Sequence, residues 1–255
     1  MADKLFDLEG RVALITGSSG GLGRVLAEGL ARSGVTVIIN GRQEKKVDAV
    51  VDSLKGKGYN AIPSLFDVTC PAEIQKAAEE VNARYGPPDI LINNAGINLR
   101  RPLEEFPEED WDTILNTNLK SAYMVSKAFV KPMIGKKEGK IINICSLQSE
   151  LGRKTIAPYA ASKGGLKMLT RAMAAEWAEY NIQVNGIGPG YFKTELTRPL
   201  YEDDTFDRWL INRTPACRWG EPEELIGTVL FLASKASSYI NGQVIYVDGG
   251  ITAVI

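Results

Sequence analysis

A doubly wound α/β fold, with a parallel sheet of seven strands and helices on both faces in one domain over residues 1–255, is what this sequence predicts. Short β-branched runs alternate with segments of helical periodicity along the whole chain. The runs are apolar throughout instead of alternating with polar residues, as expected where both faces of a strand are covered. A glycine-rich turn follows the first run directly and opens a helix.

Arg11–Thr16 (RVALIT) reads as the first strand, and Leu22, Leu26 and Leu30 give the helix behind it one apolar face. Val35–Ile39 is the second strand, followed by a charged helix with Val47, Val50, Val51 and Leu54 on one side that stops near Gly56 and Gly58. Ala61–Phe66 is the third strand. Pro71 opens a helix carrying Ile74, Ala78, Val81 and Tyr85, and Ile90–Ile92 is the fourth strand. A helix over 108–130, a strand at Lys140–Ile144, a helix over 159–180 and a strand at Ile182–Ile187 continue the alternation. A polar, aromatic insertion covers 191–219, and a helix at Glu221–Ala233 and a strand at Gln243–Val247 complete the series. Right-handed crossovers between such strands give the parallel sheet.

With 30 basic and 31 acidic side chains, the chain has no positive field to gather nucleic acid or an anionic membrane. Cys70, Cys145 and Cys217 are odd in number and far apart, which suits reduced thiols in a cytoplasmic protein. The segment Met1–Gly10 lacks the apolar run of a signal peptide, and no later run is long enough to span a bilayer. The chain has no histidine, so acid–base chemistry falls to another residue.

In TGSSGGLG, Gly17, Gly21 and Gly23 follow a strand and open a helix, where unpaired N–H groups attract phosphate and side chains would obstruct its approach. An acidic residue at the end of the second strand would grip the ribose of NAD. This chain has Asn40, Gly41 and Arg42 there, and a guanidinium suits the extra phosphate of NADP, so NADP is expected over NAD. Asp67 after the third strand and Asn93-Asn94-Ala95-Gly96 after the fourth stand at further strand ends on the same side. Near the middle, Tyr159 lies four residues before Lys163 on one helical face, which lets the ammonium favour the ionised phenol. Ser146, at a strand end, can hold the oxygen that gains or loses the proton.

Together, TGSSGGLG, NNAG at 93–96, Ser146 and Tyr159-Ala-Ala-Ser-Lys163 resemble the short-chain dehydrogenase/reductase family over nearly the whole chain. The resemblance implies the Rossmann fold, a homotetramer and four catalytic residues. Tyr159 is then the general acid/base, Lys163 its partner and a ribose ligand, Ser146 the holder of the substrate oxygen, and Asn118 in NTNL the anchor of a water in the proton relay. It implies dinucleotide contacts at Gly17, Ser19, Gly21, Leu22, Gly23, Asn40, Arg42, Asp67, Val68, Asn94, Ala95, Gly96, Tyr159, Lys163, Pro189, Gly190 and Thr194.

At finer grain, Asn143–Arg153, Gly190–Glu195 and Arg213–Gly220 are similar to gluconate 5-dehydrogenases, also called 5-keto-D-gluconate reductases. A sugar acid needs a cation for its carboxylate and polar groups for its hydroxyls. Arg100, Arg101, Arg153, Lys193 and Gln148 are candidates; Arg100 is favoured for the carboxylate and Gln148 for a hydroxyl, beside Ser146 and Tyr159. A 3-oxoacyl thioester reductase, another polyol or ketose reductase, and a non-catalytic dinucleotide-binding regulator stay open as alternatives.

Overall fold

The computed structural model describes residues 2–254; Met1, part of the N-terminal segment discussed above, and Ile255 lie outside the described residues. Strands β1 (Val12–Ile15), β2 (Thr36–Gly41), β3 (Ala61–Leu65), β4 (Ile90–Asn93), β5 (Gly139–Ile144), β6 (Ile182–Pro189) and β7 (Val244–Val247) form one sheet. Their order is β3-β2-β1-β4-β5-β6-β7, and every pairing is parallel. Strand order reverses direction at β1, where Ile15 stands opposite both Ile39 and Ile92. A crevice at the carboxyl ends follows from that reversal.

The helices are α1 (Ala2–Leu5), α2 (Gly21–Arg32), α3 (Glu44–Gly56), α4 (Pro71–Tyr85), α5 (Glu108–Leu115), α6 (Ser121–Lys136), α7 (Ala157–Trp177), α8 (Arg198–Tyr201), α9 (Asp204–Arg213) and α10 (Ile226–Ala233). Successive strand residues point to opposite faces. Ala13 and Ile15 therefore pack with Leu26, Leu30, Val47, Val51 and Val229 of α2, α3 and α10, while Leu14 packs with Ile74, Phe129, Met133 and Met173 of α4, α6 and α7. Each of these side chains larger than Ala13 contributes about 1.5–3 kcal/mol by leaving water.

Three helices differ from the sequence expectation, and one of them, expected over Glu221–Ala233, begins as a 3-10 turn at Pro222–Leu225 and is α-helical only over Ile226–Ala233. The helix expected over 108–130 is α5 and α6 joined by a π-helical turn at Asn116–Lys120, and it runs to Lys136 with Pro132 inside it. Pro132 reads as a stop because it lacks an N–H, but Phe129 and Met133 are fully buried on either side of it, and their packing carries the helix onward. The helix expected over 159–180 spans Ala157–Trp177, and its last residues tighten into a 3-10 turn. The insertion at 191–219 is not featureless: it holds α8 and α9 over a small core of Leu147, Leu210, Trp219 and Ile251.

At the opposite end of the sheet from the crevice, Asp89 ties three strands together. Its Oδ2 accepts from the Val12 N–H at 2.9 Å, its Oδ1 accepts from Arg11 at 3.1 Å and from Lys136 of α6, and its own carbonyl accepts from the Lys140 N–H at 2.9 Å. Burial alone would raise the Asp89 carboxyl, but the hydrogen bonds from Lys136 and Val12 outweigh it and hold the group below the usual carboxylate range. A carboxylate with a depressed folded-state value stabilises the fold above its unfolded value and loses that effect as pH falls through the folded one. Asp89→Asn is expected to cost about 2 kcal/mol at neutral pH, with the deficit shrinking below about pH 4. Urea unfolding of both proteins at neutral and acidic pH checks this; an equal deficit at both would remove the ionised carboxylate from the account.

Candidate active site

A cavity of about 560 Å³ runs along the carboxyl ends of the strands, from the glycine turn to the insertion. The turn is shaped from behind by Asn40. Its Oδ1 accepts from the Gly17 N–H at 3.0 Å, its Nδ2 donates to the carbonyls of Ser64 and Phe66, and its backbone exchanges hydrogen bonds with Ser18. Asn40 lines the cavity but is only 1% exposed, its side chain engaged in holding the turn from behind. The opposite wall is fixed by Asn94, which donates from Nδ2 to the Thr16 carbonyl at 2.9 Å.

The N-terminus of α2 opens into this cavity through Gly21 and Leu22, and no side chain caps it. Such an end presents bare N–H groups and a positive dipole to an anion. A Cβ on Gly23 would stand 2.5 Å from Asn94 Nδ2 and 2.7 Å from the Gly17 carbonyl, so any larger residue would force the turn apart. Ser19, Arg42, Asp67, Val68, Ala95, Gly96, Pro189, Gly190 and Thr194 line the same cavity. Arg42 lies on its rim with Nη1 3.5 Å from Asp67 Oδ2, a pairing not foreseen from sequence. Thr194 also closes the 3-10 turn Glu195–Thr197, accepting from the Thr197 N–H.

Ser146, Tyr159, Lys163, Arg100 and Gln148 line the cavity's other half. Asn118 sits in the π-helical turn and is 1% exposed. Its Oδ1 accepts from the Ile97 N–H at 2.8 Å, and its Nδ2 donates to the Ile97 carbonyl and to Ser162 Oγ. Gly96 marks where these groups meet: a Cβ there would lie 3.3 Å from Asn118 Oδ1 and 3.6 Å from Lys163 Nζ. Ser146 Oγ donates to Gln148 Oε1 at 2.6 Å, and Ser149 Oγ fastens this turn to the Lys163 carbonyl at 2.9 Å.

Lys163 Nζ is buried, donates to the Ile144 carbonyl at 2.7 Å, and stands 5.8 Å from the centre of the Tyr159 ring. Burial pushes this amine down to about 8. Burial pushes the Tyr159 phenol up, and a hydrogen bond with Ser146 offsets it only in part. From its spacing in the sequence, Lys163 is expected to favour the phenolate. The structure instead has burial dominating both groups, with the ammonium engaged on a carbonyl, which keeps the proton on the phenol.

Arg101 and Lys193 are not cavity cations: they pair with Asp110 at 3.5 Å and with Glu221 at 3.2 Å. Two contributors escaped the sequence reading. Asn98 lines the cavity with its Oδ1 buried and unpaired among the described residues, and Tyr191 projects its hydroxyl toward Gln148 and Arg153. The usable signal for Tyr191 was its place directly after Gly190 at the end of β6. Among the described residues, no cluster of His, Cys, Asp or Glu is arranged to hold a metal, and no helix is long and apolar enough to cross a membrane.

A family model described as short chain dehydrogenase matches residues 11–205. The chain is 51% identical to the 5-keto-D-gluconate 5-reductase of Escherichia coli (strain K12), covering 98% of this chain and 99% of that protein. It is 50% identical to the 2-dehydro-3-deoxy-D-gluconate 5-dehydrogenase of Formosa agariphila, covering 100% and 97%. The crystal structure of a gluconate 5-dehydrogenase from Burkholderia cenocepacia J2315 in complex with NADP and tartrate superposes with a TM-score of 0.98 at 49% identity, covering all of both chains.

Asn40→Ala would strand the Gly17 N–H and two strand-end carbonyls. It is expected to lower stability by about 2 kcal/mol and to weaken NADPH binding about tenfold, read by urea unfolding and nucleotide fluorescence. Lost stability with unchanged affinity would show that the turn keeps its shape without this amide.

Proposed function

From the premise that the chain belongs to the short chain dehydrogenase family, and so is an NAD(P)-dependent oxidoreductase acting on a CH–OH group, we propose that it interconverts D-gluconate and 5-keto-D-gluconate. NADP(H), held by the glycine turn, the α2 N-terminus and the strand ends, supplies or takes up the hydride when bound. The bare helix end, and the turn that Gly23 lets close tightly against Asn94 and Gly17, fit its phosphates.

One observation carries the substrate reading. The cavity beside Ser146 and Tyr159 contains the Arg100 guanidinium, which has no acidic partner among the described residues, in a chain half-identical to enzymes of hexonate chemistry. Burial and the nearby charge of Arg153 hold Arg100 below its ordinary value, so an anion placed there is welcomed by both. The NADP and tartrate held by the Burkholderia enzyme agree with a nucleotide and a small hydroxy acid sharing such a site.

In the reductive direction, Tyr159 Oη donates its proton to the ketone oxygen as that oxygen gains negative charge, and Ser146 Oγ holds the oxygen in line. The protonated phenol described above is poised for this step. Lys163 returns a proton to the phenol; the Asn118 amide, expected from sequence to hold a water of the relay, is instead spent on the Ile97 backbone and Ser162 Oγ and fixes the wall beside Lys163. In the oxidative direction the same atoms take the proton away. A second reading, oxidation at the same carbon of a 3-deoxy hexonate, is favoured by the Formosa relative.

Arg42 on the cavity rim supports a preference for NADP, because its guanidinium can pair with the extra phosphate.

Assay of nucleotide oxidation with 5-keto-D-gluconate, 2-dehydro-3-deoxy-D-gluconate derivatives, fructose and an acetoacetyl thioester separates the readings. The expected outcome is highest kcat/KM with 5-keto-D-gluconate, and loss of at least about a thousandfold in Tyr159→Phe with NADPH binding retained. Preference for another member of the panel would replace the substrate; full turnover by Tyr159→Phe would remove the acid. Arg42→Asp is expected to shift the NADPH to NADH ratio of kcat/KM by about a hundredfold toward NADH; an unmoved ratio would end the role given to Arg42.

A further inference from the structure

We infer that Arg153, held in an aromatic clamp supplied by the insertion at 191–219, is a second cation of the substrate site and, with Arg100, forms a two-guanidinium seat for the terminal carboxylate of an open-chain sugar acid. The inference rests on the hexonate reading above and deepens it.

The Arg153 guanidinium carbon lies 4.4 Å from the centre of the Phe206 ring and 5.7 Å from that of Tyr191. Its Nη1 donates to the Tyr191 hydroxyl at 2.9 Å. The clamp is itself braced: Tyr191 and Phe206 both pack against Trp219, whose Nε1 donates to Asp207 at 2.6 Å. A long side chain that is normally mobile is thus fixed in one place. Stacking engages the faces of the guanidinium, and with one Nη1 proton given to Tyr191 the remaining N–H groups of its edge are left to fork onto a carboxylate.

Arg153 forms no salt bridge among the described residues, and neither does Arg100; both line the cavity, and the charge of Arg153 holds Arg100 down. Two like charges facing one space without an acid between them cost free energy unless an anion joins them. The site also has a direction. From Arg153 the Tyr191 hydroxyl leads to Gln148 Nε2 at 3.5 Å, and Gln148 Oε1 accepts from Ser146 Oγ at 2.6 Å, so the cation stands at one end of a polar wall and the reacting group at the other. A carboxylate on Arg153 and Arg100 then sets which carbon of the chain reaches Ser146 and Tyr159.

D-glucitol, which is gluconate with a primary alcohol in place of the carboxylate and offers the same secondary alcohol to the site, isolates the charge. The discriminating quantity is the ratio of kcat/KM for gluconate to that for glucitol. Arg153→Gln is expected to lower this ratio about 10- to 100-fold, Arg153→Lys to restore part of it, and Tyr191→Phe, which keeps the ring but drops the hydroxyl, to lower it several-fold. A structural role would reduce both substrates alike; an unchanged ratio in Arg153→Gln overturns the inference. Calorimetric binding of gluconate and glucitol to the NADP-loaded Tyr159→Phe enzyme, with and without Arg153→Gln, is independent of turnover. Gluconate binding that depends on Arg153 in an enzyme that does not oxidise gluconate would keep the carboxylate seat and discard the proposed reaction. Gluconate oxidation with Arg153-independent binding would do the reverse.

Discussion

The reversal of strand order at β1 is the constraint on which the rest of this molecule depends. β2 and β4 both pair with β1, yet the helices that follow them cover opposite faces, so no connection crosses the carboxyl ends between β1 and β4. The gap this leaves is where the glycine turn, the Asn94 turn and the Asn118 turn converge. Hydrogen bonds from Asn40 and Asn94 hold its walls at fixed separation, so the cavity belongs to the sheet and not to mobile loops.

Burial then decides the chemistry within the gap. Lys163 and Tyr159 are both pushed toward their neutral forms, so the phenol holds its proton while the amine beside it gives one up more readily than in water. The acid side of the site is therefore internal to the core, while the charged groups suited to an anionic substrate, Arg100 and Arg153, stand where the insertion meets the cavity. The two halves differ in how they are supported: α7 and β5 fix the first, and aromatic packing among Tyr191, Phe206 and Trp219 fixes the second.

Most of the sheet was legible because covered parallel strands leave apolar runs that need no partner to be recognised, and the sheet has the seven strands the runs foretold. The glycine turn and the Tyr159–Lys163 spacing were legible because both encode local geometry. What could not be read was set by tertiary context. Pro132 signals a stop that packing of Phe129 and Met133 overrides, and nothing in NTNL distinguishes a π-helical turn from an ordinary one. Asn40 stands where a ribose ligand is sought, yet its buried amide serves the turn. Tyr191 and Asn98 lie in irregular backbone, where no periodicity says which way a side chain faces.

The π-helical turn carrying Asn118 has a consequence for how this sequence can diverge. It holds one more residue than an unbroken α-helix would while the helix on either side stays in phase, so excising a single position here would close the bulge, whereas excising one within α6 would turn everything beyond it by about 100°. Val125, Phe129 and Met133 would in that case swing off the sheet together. A change of length along this helix is therefore tolerated by the packing only at the bulge, where it displaces the backbone that carries Asn118.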